Sequence, residues 1–179
     1  YMLFHLVDAC TRFHAGEVID DKSEETLMQT LWTAWTGHHG PMDELVIDGE
    51  GGRNTERARA LLKAEGIKLT TRAPGQHAPT AERAGQLIRL VIHLMIEQMI
   101  IYVINLPIKL VASHAFFVMN ALFGKNGCTS YQAVYGRQPA MLPPIEAHCG
   151  QDSVDGRQEQ RVRQIAISAI TQASASSQT

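Results

Sequence analysis

What this 179-residue sequence lacks narrows its class before any motif is read. Its three cysteines, Cys10, Cys128 and Cys149, are far apart and form no C-x-x-C pair. That argues against a structural zinc site and a disulfide framework, and makes a reducing, intracellular setting the default. Eight histidines include the adjacent pair His38-His39 but no H-x₃₋₅-H spacing, so that pair reads as a helix end rather than a metal site. There is no G-x-S-x-G, no Walker pattern and no strand-to-helix G-x-G-x-x-G, which removes the common Ser hydrolases, P-loop enzymes and dinucleotide binders. The longest uninterrupted apolar run, Met99 to Ile104, is far short of a bilayer span, and no signal peptide is visible. A soluble protein without a membrane partner is therefore expected. A net charge of −2 gives no global basic field of the kind that announces nucleic acid.

What remains is an ordinary globular composition, 45% hydrophobic and 19% charged, in a chain long enough for one domain with a real core. Charge is unevenly placed. Between Gly51 and Leu90 there are eight Lys/Arg against three Asp/Glu, a local +5 in a chain that is negative elsewhere. Such a cluster suits a phosphate backbone and equally suits a solvated helical face. The same region holds two notable carboxylates. Asp48 closes a short apolar strand pattern, and Glu82 opens an amphipathic helix, with 33 residues between them. Acids at the carboxyl end of a strand face the crevice where α/β proteins work, and carboxylates without His or Cys beside them suit Mg²⁺ or Mn²⁺. The competing reading is an exposed strand-end Asp and a first-turn Glu that favours the helix dipole.

Along the chain, Met2 to Val7 reads as a buried strand, with Phe13 to Ile19 as its hairpin partner after a turn at Ala9 to Arg12. Ser23 is placed to cap a helix with Leu27, Leu31, Ala34 and Trp35 on one face, Trp32 and Trp35 in the core, and Gly37 as the stop. A strand ends at Asp48. A glycine-rich loop, Gly49 to Arg53, leads to a helix capped by Asn54, reaching Ala64 and closed by Gly66. Ile67 to Thr71 reads as a strand, and Arg72 to Thr80 as a second loop over the same edge. The helix from Ala81 to about Met95 presents Glu82, Gln86, Arg89 and His93 on one face, with Leu87, Leu90, Val91 and Leu94 towards the core. Pro107 to Phe123 and Tyr131 to Tyr135 read as further helices. Residues 146–179 read as a linker and helical tail, with an apolar stripe at Ile165 and Ile170 and disorder from Ala173 onward.

Four blocks, in order, resemble the catalytic core of retroviral and retrotransposon integrases. "VIDGEGG" around Asp48 is similar to that family's D-N-G-x-E-F, and "GQHAPTAERAGQLIR" around Glu82 to its P-Q-x-N-G-x-x-E-R-x-N-R. "HLVDACTRFHAGEVIDDKS" resembles V-V-D-x-x-S-R-F, and "CTSYQAVYGRQP" resembles T-P-x-E-x-x-Y-G-x-x-P. The flavour is that of a copia-like retrotransposon polyprotein. The resemblance covers roughly Leu3 to Pro143, and residues 1–145 would form the core.

It implies an RNase H-like α/β fold, a mixed sheet flanked by helices, with its first strand missing from this fragment. It also implies a metal-dependent polynucleotidyl transferase that trims the 3′ ends of element DNA and joins them to target DNA. Asp48 and Glu82 would ligate Mg²⁺ or Mn²⁺, while Arg83, Gln86 and Arg89 would position DNA. The implied partners are element and target DNA and further copies of the chain, and the implied location is the nucleus. Asn120 matches an asparagine common at that point in the family, with capping as the expected role.

By the same resemblance Asp8 falls on the family's second strand, so the first acid should lie roughly 10 to 20 residues upstream of Tyr1, as a short hairpin connection requires. The chain starts without Met, inside a strand pattern, and reads as a piece whose parent is active and which is itself inactive or nearly so. Gly49, Gly51-Gly52 and Ala78-Pro79 depart from the family pattern, and the acid spacing is two residues short. These departures keep open a second reading, a decayed or domesticated DNA-binding or assembly module without catalysis.

Overall fold

The computed structural model describes residues 1–47, 55–72, 79–125, 127–141 and 154–176. They fall into two compact units, one of residues 1–6 and 15–83, the other of residues 7–14 and 84–179.

In the first unit, β1 (Met2–Val7) pairs with β2 (His14–Ile19), the two strand ends at Val7 and His14 belonging to the second unit. The residues of β1 are half-buried rather than fully buried as its apolar sequence suggests. Ser23 caps α1 (Glu24–Leu31), its hydroxyl accepting from the Thr26 N–H, and Glu24 and Glu25 occupy the first turn. Gly37 does not stop this helix. A π-helical turn, Trp32–Thr36, follows, then α2 (Gly37–His39), and the chain leaves helical geometry at Gly40, with φ of 81°. Two threonine hydroxyls bond backward onto helix carbonyls, Thr30 ahead of this turn to Thr26 and Thr33 within it to Thr30, which loosens the regular ladder there. Glycine at 37 suits the wider turn, because a Cβ would lie 3.1 Å from the Trp32 carbonyl oxygen. The widened turn also shifts the register of the helix face, so Trp32 is 53% exposed and does not join the core.

β3 (Glu44–Ile47) and β4 (Lys68–Thr71) pair in parallel, Glu44 opposite Lys68 and Ile47 opposite Thr71, joined by α3 (Glu56–Ala64) as the crossover. Thr55 caps α3 through the Ala58 N–H, the role expected of Asn54, which lies outside the described residues. Gly66, with φ of 79°, closes the helix as anticipated. Leu31, Leu62 and Ile67 form the core of this unit, with Phe4, Leu6, Met28, Met42, Leu45 and Leu69 packed against them.

The second unit is helical. Most of α4 (Pro79–Ile101) belongs to it, and the helix runs six residues past the end expected at about Met95. Gly85, Ile88, Val91, Ile92, Met95 and Met99 are its buried residues, a repeat of three to four that puts them on one stripe. Leu90, expected in the core, is 37% exposed. By length and composition α4 could cross a membrane, but its apolar stripe is buried within the fold.

The helix ends in a Schellman arrangement. The Ile104 N–H donates to the Met99 carbonyl at 2.9 Å and the Val103 N–H to the Ile100 carbonyl at 3.2 Å, with Val103 at φ of 55°. A β-branched residue is costly in the left-handed region, and Val103 offsets little of that cost by packing, since it is 91% exposed. Val103→Gly should raise the unfolding free energy by about 1 kcal/mol, measured by chemical denaturation.

α5 (Ile108–Leu122) starts at Pro107 and buries Val111, Ala112, Ala115, Phe116, Val118 and Met119. α7 (Val154–Ser176) packs against it, burying Val162, Ile165, Ala166, Ala169, Ile170 and Ala173. The helix continues through Ser176, where composition alone suggested disorder from Ala173 onward, and its buried apolar stripe reaches Ala173. Between α5 and α7 lie the short antiparallel pair β5 (Gly124–Lys125) and β6 (Cys128–Thr129) and then α6 (Ser130–Tyr135). A capping box between Thr129 and Gln132 starts α6, and Gly136 in the left-handed region ends it. The single mixed sheet implied by the resemblance is represented, among the described residues, by three two-stranded pieces.

Candidate functional site

Ile47 is the last residue of β3, and Asp48, next in the chain, lies outside the described residues. Glu82 stands in the first turn of α4, where the helix dipole favours a carboxylate, and it is exposed. Gln86, Arg89 and His93 are also exposed, on the face expected for them. Arg83 is exposed as well, about a quarter-turn round the helix from Glu82. One turn beyond His93, its Nε2 lies 3.2 Å from the Glu97 carboxylate, an exposed contact that becomes an ion pair when His93 is protonated. Nearer the strands, Arg57, Arg59, Lys63 and Lys68 are exposed, Lys68 paired with Glu44 at 3.1 Å and Arg57 within 3.8 Å of Glu24.

Among the described residues, no group of three or more His, Cys, Asp or Glu side chains is placed to hold a metal ion. Glu82 by itself is the right kind of donor for Mg²⁺ or Mn²⁺, a hard carboxylate open to solvent, and a second ligand would have to come from elsewhere.

Asp8 is committed to a turn. Its Oδ2 accepts from the Thr11 N–H at 2.7 Å and the Thr11 hydroxyl at 2.5 Å, while its carbonyl accepts from the Arg12 N–H at 3.0 Å. Partial burial works to raise its pKa. Hydrogen bonds from the Thr11 side chain and from the backbone of Thr11, Cys10 and Ala9 outweigh that and hold the carboxyl below its ordinary value. Arg12 completes the turn at φ of 62°. The Asp8 carboxylate thus organises its own hairpin turn through Oδ2.

Asn120 is not a cap. It is 4% exposed, and its side-chain amide reads the backbone of His14 from both sides. Oδ1 accepts from the His14 N–H at 2.7 Å, and Nδ2 donates to the His14 carbonyl at 2.8 Å. The bond pair spans 106 residues and ties the start of β2 to α5 within the second unit. No local pattern reveals such a pairing; the one signal in the sequence is a polar residue in the middle of the apolar face of α5.

No protein-family model and no curated protein sequence matches this chain. Solved structures do. The HTLV-2 integrase catalytic core domain in complex with magnesium, in a dimeric form, superposes with a TM-score of 0.58 at 15% identity, over 73% of this chain and 90% of that one. A chain of the simian T-cell lymphotropic virus intasome in complex with the PP2A regulatory subunit B56 gamma gives a TM-score of 0.60 at 21% identity. That match covers 84% of this chain and 54% of the other, so this chain spans about half the length of the intasome chain. At these identities the likeness is one of fold: the chain has the mixed α/β fold of retroviral integrase catalytic cores.

Proposed function

We propose that this chain belongs to the core of a DNA integrase of the copia-like retrotransposon kind, with an RNase H-like fold, and that polynucleotidyl transfer is the activity of the parent protein. The observation that carries the reading is the superposition on 90% of a magnesium-bound integrase core, with Glu82 in the first turn of the long helix α4. Asp48, directly after β3, and Glu82 would hold Mg²⁺ or Mn²⁺. When bound, the metal would activate the attacking oxygen and neutralise charge on the leaving one. Arg83, Gln86 and Arg89 would fix the DNA backbone: guanidinium groups and an amide, exposed along the N-terminal half of α4, are suited to phosphate oxygens. DNA ends, target DNA and further copies of the chain are the partners in this reading, and the nucleus is the place of action. Residues 1–145 would be the catalytic core and 146–179 an appended segment.

DNA binding tests the positioning roles. Fluorescence anisotropy with a short duplex should show affinity falling with salt, and Arg89→Ala should reduce the slope of log K against log salt by about 1. An unchanged slope in both Arg83→Ala and Arg89→Ala would remove DNA from this face of α4.

A further inference from the structure

We infer that the end of α4, from Ile100 to Val103, is a surface by which two copies of this chain meet; the inference rests on the reading that further copies are partners. The buried stripe of α4 ends at Met99. Beyond it, Ile100 is 72% exposed, Ile101 73% and Val103 91%, with Tyr102 half exposed. Four consecutive exposed apolar or aromatic residues are unfavourable in a lone soluble chain and are kept where they serve a contact. By their size and exposure they leave on the order of 500 Å² open to solvent, in the upper part of the range for the largest patch on a monomer. That is more than half of the about 800 Å² that each partner of a standard interface contributes. Val103 adds an independent sign. Helix ends of its geometry usually carry glycine, yet here a β-branched residue holds φ of 55° with its side chain bare. Burial against a partner would offset that strain.

The charges beside this knob point to a second copy as its partner. Glu97 precedes Ile100 and Ile101 by three and four residues, so it flanks them on α4, and it is exposed. The guanidinium of Arg161, an exposed residue of α7, lies 4.1 Å from the centre of the Tyr102 ring. One carboxylate and one guanidinium flanking one apolar knob make the surface complementary to itself. A two-fold axis through the knob brings Glu97 of each copy towards Arg161 of the other, while the apolar residues pack across the axis.

Sedimentation equilibrium on the full 179-residue chain tests this. At roughly 100 µM, well above the micromolar end of the affinities of standard interfaces, the unaltered chain should have twice the mass of one copy. Ile101→Asp should raise the dimer Kd at least about 10-fold, the effect of losing a central anchor. Val103→Gly should raise it by a similar factor while relieving the strained turn, so the dimer is lost with the far-ultraviolet circular dichroism unchanged. Glu97→Arg and Arg161→Glu should each weaken association. Mixed in equal amounts, these two variants should associate again, because a mixed pair restores an attraction on both sides of the axis, which only a contact between copies allows. A monomer at that concentration overturns the inference together with the reading of further copies as partners. A dimer indifferent to both Ile101→Asp and Val103→Gly overturns the inference and leaves that reading standing at another surface. Charge variants that stay apart when mixed overturn the pairing that assigns this surface to a second copy.

Discussion

Asn120→Ala should lower the unfolding free energy by about 3 kcal/mol, since each buried partner removed costs about 1–3 kcal/mol and this side chain serves two backbone groups of His14. The site is buried, so water cannot readily replace the lost amide. The bonds also join positions 106 residues apart in the chain. Asn120→Asp keeps one acceptor but turns a carboxylate oxygen towards the His14 carbonyl, so it should cost at least as much. Urea denaturation followed by circular dichroism gives the magnitude. Hydrogen exchange at the His14 amide locates it, with protection lost in both variants. A loss below about 1 kcal/mol, the size of a single ordinary hydrogen bond, would show that the clasp is not made.

The second large effect depends on pH and comes from the same place. Burial, helped by the Arg12 charge nearby, lowers the pKa of His14 from 6.5 to about 4. At pH 7.5 the ring is neutral folded and unfolded, and it adds nothing to the balance. As pH falls below 6.5 the unfolded chain takes up a proton that the folded chain does not accept until about pH 4, so unfolding is favoured progressively across that window. At the acid end the cost approaches about 3 kcal/mol, at 1.36 kcal/mol per pKa unit. His14→Gln removes the titration. Its stability should therefore fall less than that of the unaltered chain between pH 7 and pH 4.5. Parallel pH profiles for the two proteins would show that His14 does not stay neutral in the fold.

Much of this architecture is legible in the residues, because it rests on local rules. Ser23 with two acids behind it starts α1, Gly66 ends α3, and Thr129 with Gln132 and Gly136 brackets α6; each is a signal of a few residues with one physical cause. The stripe Glu82, Gln86, Arg89 and His93 follows from helical period alone, and all four are exposed.

What was not legible depends on partners distant in sequence or on departures from regular period. The π turn at Trp32–Thr36 breaks the 3.6-residue count, which turns Trp32 outward and moves the stop from Gly37 to Gly40. α4 runs on from Met95 to Ile101 because Met95 and Met99 keep the buried stripe going past Glu97 and Gln98. The contacts of Asn120 with His14 and of Glu24 with Thr55 join residues 106 and 31 apart in sequence. The integrase-like motifs, in the right order, point to the mixed α/β fold of integrase cores that the solved structures share at 15% and 21% identity, where no family model matches.

The most direct test of the proposed function is Mn²⁺ binding by this chain, measured by calorimetry with Asp48→Asn and Glu82→Gln alongside. The account predicts weak binding to the unaltered chain that each substitution removes, which would place the two acids in one site. Absence of binding, or binding that neither substitution changes, would contradict it and leave an integrase-like fold serving as a non-catalytic DNA-binding or assembly module.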